Sequence, residues 1–95
     1  MFDLQGKKAL VTGASGGIGG AIGRALHSQG ATVALAGRSK NALDELALQL
    51  GERTHVVIGD LGDNQSADSM LSVAQEAMGG IDILVNNAGL TRDNL

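Results

Sequence analysis

The sequence predicts an α/β fold in which a doubly wound parallel sheet is covered by helices on both faces. Short apolar runs alternate with segments of helical period, the connections between them are short, and the apolar runs are nearly continuous. Strands of this kind need cover on both faces, which a parallel sheet with right-handed crossovers provides. We therefore expect a β-α-β-α-β-α-β chain with the strand order 3-2-1-4.

The individual elements follow from the apolar pattern. Strands are predicted at 8–12, 32–36, 55–58 and 81–85. Each helix is predicted to end at a glycine, namely Gly30, Gly51 or the pair Gly79–Gly80, and the third to begin at Asp63 or Asn64. The expected buried stripes are Ile18, Ile22, Ala25 and Leu26 in the first helix, Leu43, Leu46, Ala47 and Leu50 in the second, and Ala67, Met70, Leu71, Ala74 and Met78 in the third.

Composition limits the classes of function. The 95 residues are 43% hydrophobic and include neither proline nor cysteine, which excludes disulfides and fits a reducing, cytoplasmic compartment. The net charge of −3 leaves no basic patch for nucleic acid. No apolar run approaches the roughly 18 residues of a membrane span, so no membrane association is expected. Without cysteines or clustered carboxylates we expect no metal site, and we assign His27 and His55 no function.

The glycine-rich run at 12–19 follows the first strand and opens the first helix, which is the arrangement of a phosphate cradle. Backbone N–H groups of such a turn converge on one place, and the helix dipole adds partial positive charge there. The glycines permit a tight turn, close approach of a diphosphate and close helix–strand packing. The plain alternative is a turn that binds nothing. The candidate cofactor residues are Gly13, Ala14, Ser15, Gly16, Gly17, Ile18 and Gly19.

The end of the second strand indicates which dinucleotide binds. An NAD enzyme places an acidic residue there to bind the adenosine ribose hydroxyls. Residues 36–39 contain none, and Arg38 offers a forked cation that suits a 2′-phosphate. Ser15 adds a hydroxyl to the same group. We therefore expect NADP(H) rather than NAD, against the alternative that Arg38 is a solvated loop cation.

Two further segments follow predicted strands at the edge where a doubly wound sheet binds its ligand. Asp60 and Leu61 come after the third strand, although an isolated aspartate there is more often a turn or cap former. The Asn-Asn-Ala-Gly run at 86–89 closes the fourth strand. Its small residues let the chain pass close to a ligand, and its amides both donate and accept. A structural role for the whole run is the alternative.

The T-G-A-S-G-G-I-G run at 12–19 and the N-N-A-G run at 86–89 resemble the two signatures of the short-chain dehydrogenase/reductase family. Residues 6–15 and 82–95 are most similar to the bacterial 3-oxoacyl-[acyl-carrier-protein] reductases, and the final Thr-Arg-Asp-Asn-Leu is the more diagnostic part. The resemblance implies a Rossmann-like fold and NADPH-dependent reduction of 3-oxoacyl thioesters to 3-hydroxyacyl thioesters in fatty-acid synthesis. It also implies a substrate carried on acyl carrier protein and a homo-oligomer, usually a tetramer.

The resemblance assigns roles to the residues at the sheet edge. Asp60 and Leu61 are expected at the adenine, and Asn86 is expected to hold neighbouring strands together. The ribose is expected to face Asn87 and Ala88, and Gly89 completes the cofactor site.

The resemblance also implies a catalytic tyrosine, helped by a lysine, a serine and a further asparagine, and the chain contains no tyrosine. We therefore expect residues 1–95 to be the N-terminal NADP-binding part of a single Rossmann domain, ending after the fourth strand and inactive alone. The uncovered fourth strand leads us to expect marginal stability or self-association. The alternatives are a short-chain reductase for another carbonyl substrate, a non-catalytic nucleotide-binding module, and a methyltransferase, for which Arg38 has the wrong charge.

Overall fold

The computed structural model describes residues 3–60 and 64–87, in which strands and helices alternate along the chain. The strands are β1 (Lys8–Val11), β2 (Thr32–Gly37), β3 (Thr54–Ile58) and β4 (Ile83–Val85). The helices are α1 (Gly17–Ser28), α2 (Lys40–Leu50) and α3 (Asn64–Met78). The predicted order and type of the elements are therefore confirmed.

The fourth strand begins at Ile83 rather than at the predicted Ile81. Asp82 explains the difference, because its side chain takes part in the pairing with β1. The backbone N–H of Lys8 donates to the Asp82 carboxylate at 2.9 Å, and the Asp82 N–H donates to the Lys8 carbonyl at 2.7 Å. The regular ladder starts only after this contact.

The sheet is parallel throughout its described strands, in the order β3-β2-β1-β4. This confirms the predicted topology. At the carboxyl end of β1, Val11 pairs with Leu35 of β2 on one side and with Val85 of β4 on the other. The crossover direction reverses between β1 and β4, so a crevice for a ligand is expected at this end of the sheet.

Helices cover both faces of the sheet, and the two cores are separate. On one face the apolar side chains of β1 and β2 pack against α2 and the inner side of α1, with Val11, Val33, Leu35, Leu43 and Leu46 at the centre. On the other face, α3 covers residues of β1, β2 and β3, among them Leu10, Ala34, Ala36 and Val57. Full burial of such an aliphatic side chain contributes about 1.5–3 kcal/mol, so these two layers hold the sheet edge in place.

The predicted buried stripe of α1 is wrong at two positions. Ile18 is 65% exposed and Ala25 is exposed, whereas Ile22 and Leu26 are partly buried as expected. The helix instead turns Gly19 and Gly23 towards the sheet. A glycine face lets the helix axis come close to the strands, and a search for apolar side chains does not count glycine as buried.

The other two helices follow their predicted stripes more closely. In α2, Leu43 and Leu46 are buried and Ala47 and Leu50 pack against the same core, which confirms that stripe. In α3 the buried residues are spaced by four, so the stripe is narrow, and the predicted Leu71 lies exposed beside it. That buried series is Met70, Ala74 and Met78, with Ala67 partly buried.

The ends of the helices are where glycines indicated them. Gly30, Gly51 and Gly79 follow the three helices with φ angles of 104°, 83° and 82°, the left-handed region in which helices commonly end. The third helix begins at Asn64, and Asp63 lies outside the described residues.

The helices bury β1 and β2 on both faces of the sheet, but they leave part of β4 exposed. In β4, Leu84 is 55% exposed. Within residues 3–60 and 64–87, β4 pairs only with β1. The three helices described here are all too short or too polar to cross a membrane.

Candidate functional site

The turn between β1 and α1 lies across the carboxyl ends of three strands. The Thr12 N–H donates to the Val85 carbonyl of β4 at 3.0 Å, and the Ala14 N–H donates to the Ala36 carbonyl of β2, also at 3.0 Å. Gly13 has a φ angle of 63°, which a residue with a side chain adopts at a cost. Hydrogen bonds to both neighbouring strands therefore hold the turn in one shape.

The N-terminus of α1 opens towards solvent without a cap. Gly16 stands at the N-cap and makes no side-chain hydrogen bond to the helix. In α2, by contrast, the Ser39 hydroxyl accepts from the Ala42 N–H at 3.4 Å. The first N–H groups of an α-helix have no acceptor within the helix, and the helix dipole makes this end partially positive. Because Gly17 and Ile18 are exposed, their N–H groups are available to an anion.

Gly19 brings the first turn of α1 into contact with the turn before it. A Cβ atom at Gly19 would lie 2.2 Å from the Gly13 carbonyl oxygen and 2.8 Å from the Asn87 Nδ2 atom. The first of these neighbours is backbone and has no room to move aside. Only glycine fits at this position, and its close packing sets where the helix N-terminus points.

The structure brings Ser15 and the end of β2 together. A Cβ atom at Gly37 would lie 3.2 Å from the Ser15 hydroxyl oxygen, so the Ser15 side chain rests against the end of that strand. The next residue is Arg38, whose side chain is exposed. In the described parts of the chain, Arg38 has no hydrogen bond or ion pair. Its guanidinium is thus available to an anion beside the turn.

Asp60 lies at the same edge of the sheet. The Gly59 N–H donates to the Gly37 carbonyl at 2.9 Å, which joins the ends of β3 and β2. The backbone N–H of Asp60 donates to the Ser66 hydroxyl at 3.0 Å, and the side chain of Asp60 is exposed. Leu61, Ala88 and Gly89, the other residues predicted for the adenine and ribose side, lie outside the described residues. Their contacts remain predictions.

The two asparagines after β4 face in different directions. Asn86 is exposed, and its Oδ1 atom accepts from the Thr12 hydroxyl at 3.3 Å, which links the ends of β4 and β1 as expected of it. The side chain of Asn87 is only 1% exposed, and its Nδ2 donates to the Gly13 carbonyl at 3.3 Å. Sequence reasoning missed this inward contact. The predicted contact of Asn87 with a ribose is not tested by it and stays a prediction.

Two residues of the site were missed at the level of the sequence. Thr12 ties the turn to β4 through its hydroxyl, which also contacts the Val85 carbonyl at 3.2 Å. Gly37 leaves the space that the Ser15 hydroxyl uses. The role of Gly37 could have been predicted, because a glycine at the end of an otherwise apolar strand marks the close approach of another part of the chain.

No competing chemistry is visible elsewhere in the described residues. Among residues 3–60 and 64–87, no group of three His, Asp or Glu residues is placed to hold a metal ion. His27 Nε2 lies 2.7 Å from the Glu52 carbonyl, where α1 ends, at the opposite edge of the sheet from the turn. A groove of about 310 Å³ does open beside the turn, between α1 and α2, and reaches from Ser15 to Arg24.

These features fit a dinucleotide. The uncapped helix offers N–H donors to a diphosphate. Because residue 19 is a glycine, no side chain fills the space between α1 and the turn. Ser15 and the exposed Arg38 provide polar groups where an adenosine ribose is bound in doubly wound sheets.

Comparison with known proteins agrees with this geometry. Residues 7–95 match the family model described as short chain dehydrogenase. Nodulation protein G of Rhizobium meliloti (strain 1021) is 50% identical over 95 residues, which cover 100% of this chain and 39% of that protein. An uncharacterized oxidoreductase of Staphylococcus aureus (strain USA300) is 45% identical over 90 residues, 94% of this chain and 39% of that protein.

A solved structure has the same fold. The 3-ketoacyl-(acyl-carrier-protein) reductase from Brucella melitensis, complexed with NADH, superposes with a TM-score of 0.82 and 30% identity, over 86% of this chain and 34% of that one. The chain thus spans about 39% of the length of the curated relatives it matches. It belongs to the short-chain dehydrogenase/reductase family, whose members are oxidoreductases that bind a nicotinamide cofactor on a Rossmann-like sheet.

Proposed function

We propose that this chain binds NADP(H) and forms the cofactor-binding part of an enzyme that reduces 3-oxoacyl thioesters to 3-hydroxyacyl thioesters. The observation that carries the cofactor site is the uncapped N-terminus of α1, held by Gly13 and Gly19 against the ends of β1 and β4. Similarity to a 3-ketoacyl-(acyl-carrier-protein) reductase supports the substrate class. The substrate's carrier protein, a homotetrameric assembly and a cytoplasmic location belong to the same proposal.

The residues of this chain bind and orient the cofactor. The N–H groups at Gly17, Ile18 and Gly19 receive the diphosphate, because they are the donors without an acceptor inside the helix. The exposed Ile18 offers apolar surface beside them. When bound, NADPH supplies the hydride that the keto carbon accepts.

The proton for the resulting alkoxide comes from outside residues 1–95. In the family a tyrosine donates it, and this chain contains no tyrosine. The reaction is therefore proposed for a protein that includes further chain, with residues 1–95 supplying the cofactor site.

A short-chain reductase for a different carbonyl substrate is the second candidate. It uses the same cofactor site, and the 50% identity to nodulation protein G favours keeping it, because that identity exceeds the 30% to the 3-ketoacyl reductase. The two candidates are separated by comparing the turnover of 3-oxoacyl thioesters with that of other carbonyl substrates, in a protein that contains residues 1–95 and the catalytic tyrosine.

The preference for NADP over NAD rests on Arg38 and Ser15. A guanidinium forms strong, charge-assisted hydrogen bonds with a phosphate, and the residues around Arg38 provide no carboxylate for a free ribose hydroxyl. The Brucella relative holds NADH, so the preference has to be measured for this chain.

Replacing Arg38 tests the proposal. In Arg38→Ala we expect the Kd for NADPH to rise about 10- to 100-fold, because a charge-assisted contact is lost, while the Kd for NADH changes less than about twofold. Calorimetric titration of the 95-residue chain with each cofactor measures both. Lys7→Ala is the control, since it removes an exposed positive charge just before β1, at the opposite edge of the sheet.

Each outcome of these titrations tests one part of the proposal. If Arg38→Ala weakens NADPH and NADH equally, or neither, the preference for NADP is wrong. If the unmodified chain binds neither nucleotide, the cofactor site itself is refuted.

A further inference from the structure

The peptide group between Gly13 and Ala14 is held on both of its polar atoms. Its carbonyl oxygen accepts from the Asn87 Nδ2 at 3.3 Å and from the Gly16 N–H at 3.2 Å. Its N–H, on Ala14, donates to the Ala36 carbonyl at 3.0 Å. The oxygen also lies 2.2 Å from where a Cβ of Gly19 would be, so it faces the interior of the protein.

The direction of this carbonyl decides what an anion meets at the turn. Glycine rotates easily between backbone conformations, and Gly13 already has a φ angle of 63°. If the peptide turned over, its oxygen would add partial negative charge beside the N–H groups of α1. An anion binds well only where donors are aimed at it and acceptors are turned away.

We propose that Asn87 is a positioning residue for the phosphate turn: its buried amide holds the Gly13 carbonyl inward, so that a diphosphate meets only N–H groups. The orientation of the Asn87 amide is determined, because the Gly13 carbonyl only accepts and must therefore face Nδ2. The other amide atom, Oδ1, is buried and has no hydrogen-bond partner among the described residues. Among the described residues, the bond to Gly13 is therefore the hydrogen bond that the Asn87 side chain makes.

This inference rests on the proposed cofactor site and is tested with inorganic pyrophosphate, NADPH and adenosine 2′-monophosphate as probes of the 95-residue chain. The main variant is Asn87→Leu, which keeps the branched shape of the side chain and removes both polar atoms of the amide. We expect pyrophosphate and NADPH to bind about tenfold more weakly, as for loss of a buried hydrogen bond. Adenosine 2′-monophosphate has no diphosphate, so its Kd should change less than about twofold.

The control is Gln75→Ala, which removes an exposed side-chain amide near the end of α3 and leaves the Gly13 carbonyl untouched. We expect its affinity for pyrophosphate to stay within about twofold of the unmodified chain. Asn87→Ala is the second variant, and the unfolding midpoint of each variant is measured by circular dichroism.

The outcomes distinguish the positioning role of Asn87 from the proposed cofactor site itself. Unchanged pyrophosphate affinity in the Asn87 variants overturns the inference while leaving the cofactor site intact. Equal weakening of all three probes, or loss of folding in both variants, also overturns it, because Asn87 would then serve the fold as a whole. If the unmodified chain binds neither pyrophosphate nor NADPH, the cofactor site fails and the inference with it.

Discussion

At the scale of single residues, Gly19 and Gly20 are neighbours in α1 with opposite steric surroundings. A Cβ at Gly19 would meet the Gly13 carbonyl oxygen at 2.2 Å, whereas a Cβ at Gly20 would lie 3.4 Å from the Ala14 carbonyl oxygen and 3.7 Å from the Leu46 Cδ2. The second pair of distances is ordinary contact. One glycine is thus required by packing, and the other only weakens the helix.

We therefore expect alanine at these two positions to change the free energy of unfolding in opposite directions. Gly19→Ala should lower the free energy of unfolding by about 2–4 kcal/mol, because backbone has to move to relieve the clash. Gly20→Ala should raise it by about 0.5–1 kcal/mol through helix propensity. Urea denaturation of the two variants and the unmodified chain measures both changes. A common sign for the two would contradict the steric interpretation of the motif.

At the scale of elements, α1 and α2 are built for different purposes. In α2 a serine caps the N-terminus and leucines at helical spacing face the sheet, so the helix packs as its pattern predicts. In α1 the N-cap is a bare glycine, the buried residues are glycines and an isoleucine is left exposed. A stable amphipathic helix needs neither a bare glycine N-cap nor a buried glycine face nor an exposed isoleucine. A helix that presents its N-terminus to an anion needs the bare N-cap and the glycine face.

A pair of leucines in α2 tests how that helix holds the sheet. Leu43 is 0% exposed and Leu48 is 84% exposed. We expect Leu43→Ala to destabilise the chain by about 2–5 kcal/mol, because it leaves a cavity beneath β2. Leu48→Ala should change stability by less than about 0.5 kcal/mol, as surface substitutions do. Thermal unfolding followed by circular dichroism compares them, and similar losses for the two would show that α2 does not pack as described.

At the scale of the whole molecule, the chain carries a candidate cofactor site and contains no tyrosine, the family's proton donor. The turn, Arg38 and Asp60 meet at one edge of the sheet. On β4, beside this edge, Leu84 is 55% exposed. Binding and catalysis are thus expected to separate when residues 1–95 are studied alone.

The separation is tested by assaying the 95-residue polypeptide. We expect it to oxidise no NADPH in the presence of an acetoacetyl thioester, because it contains no tyrosine to protonate the carbonyl oxygen. Absorbance of NADPH is followed at saturating cofactor, with the cofactor titration of the same sample as the control for folding. Turnover above the uncatalysed rate would refute the proposal that the acid lies outside residues 1–95.

The sequence alone predicted the sheet, which the structure confirms, and the edge of the sheet at which a cofactor site is proposed. Short apolar runs, helical spacing and a glycine-rich first connection leave few parallel arrangements, and the order 3-2-1-4 followed from them. Ser15 and Arg38 were likewise placed together from their positions after two neighbouring strands. What the pattern did not decide was which side of α1 faces the sheet, and which asparagine turns inward.

Both points depend on how the folded segments pack against one another. Gly19 and Asn87 occupy their positions because of how closely α1 and the end of β4 approach the turn, and Gly23 does so because α1 lies close to Leu35 of β2. Hydropathy scores a side chain by its own chemistry, and a glycine or an amide has no apolar signal to score. Close packing between segments distant in sequence is a property of the assembled sheet, and it becomes visible only when the distances are known.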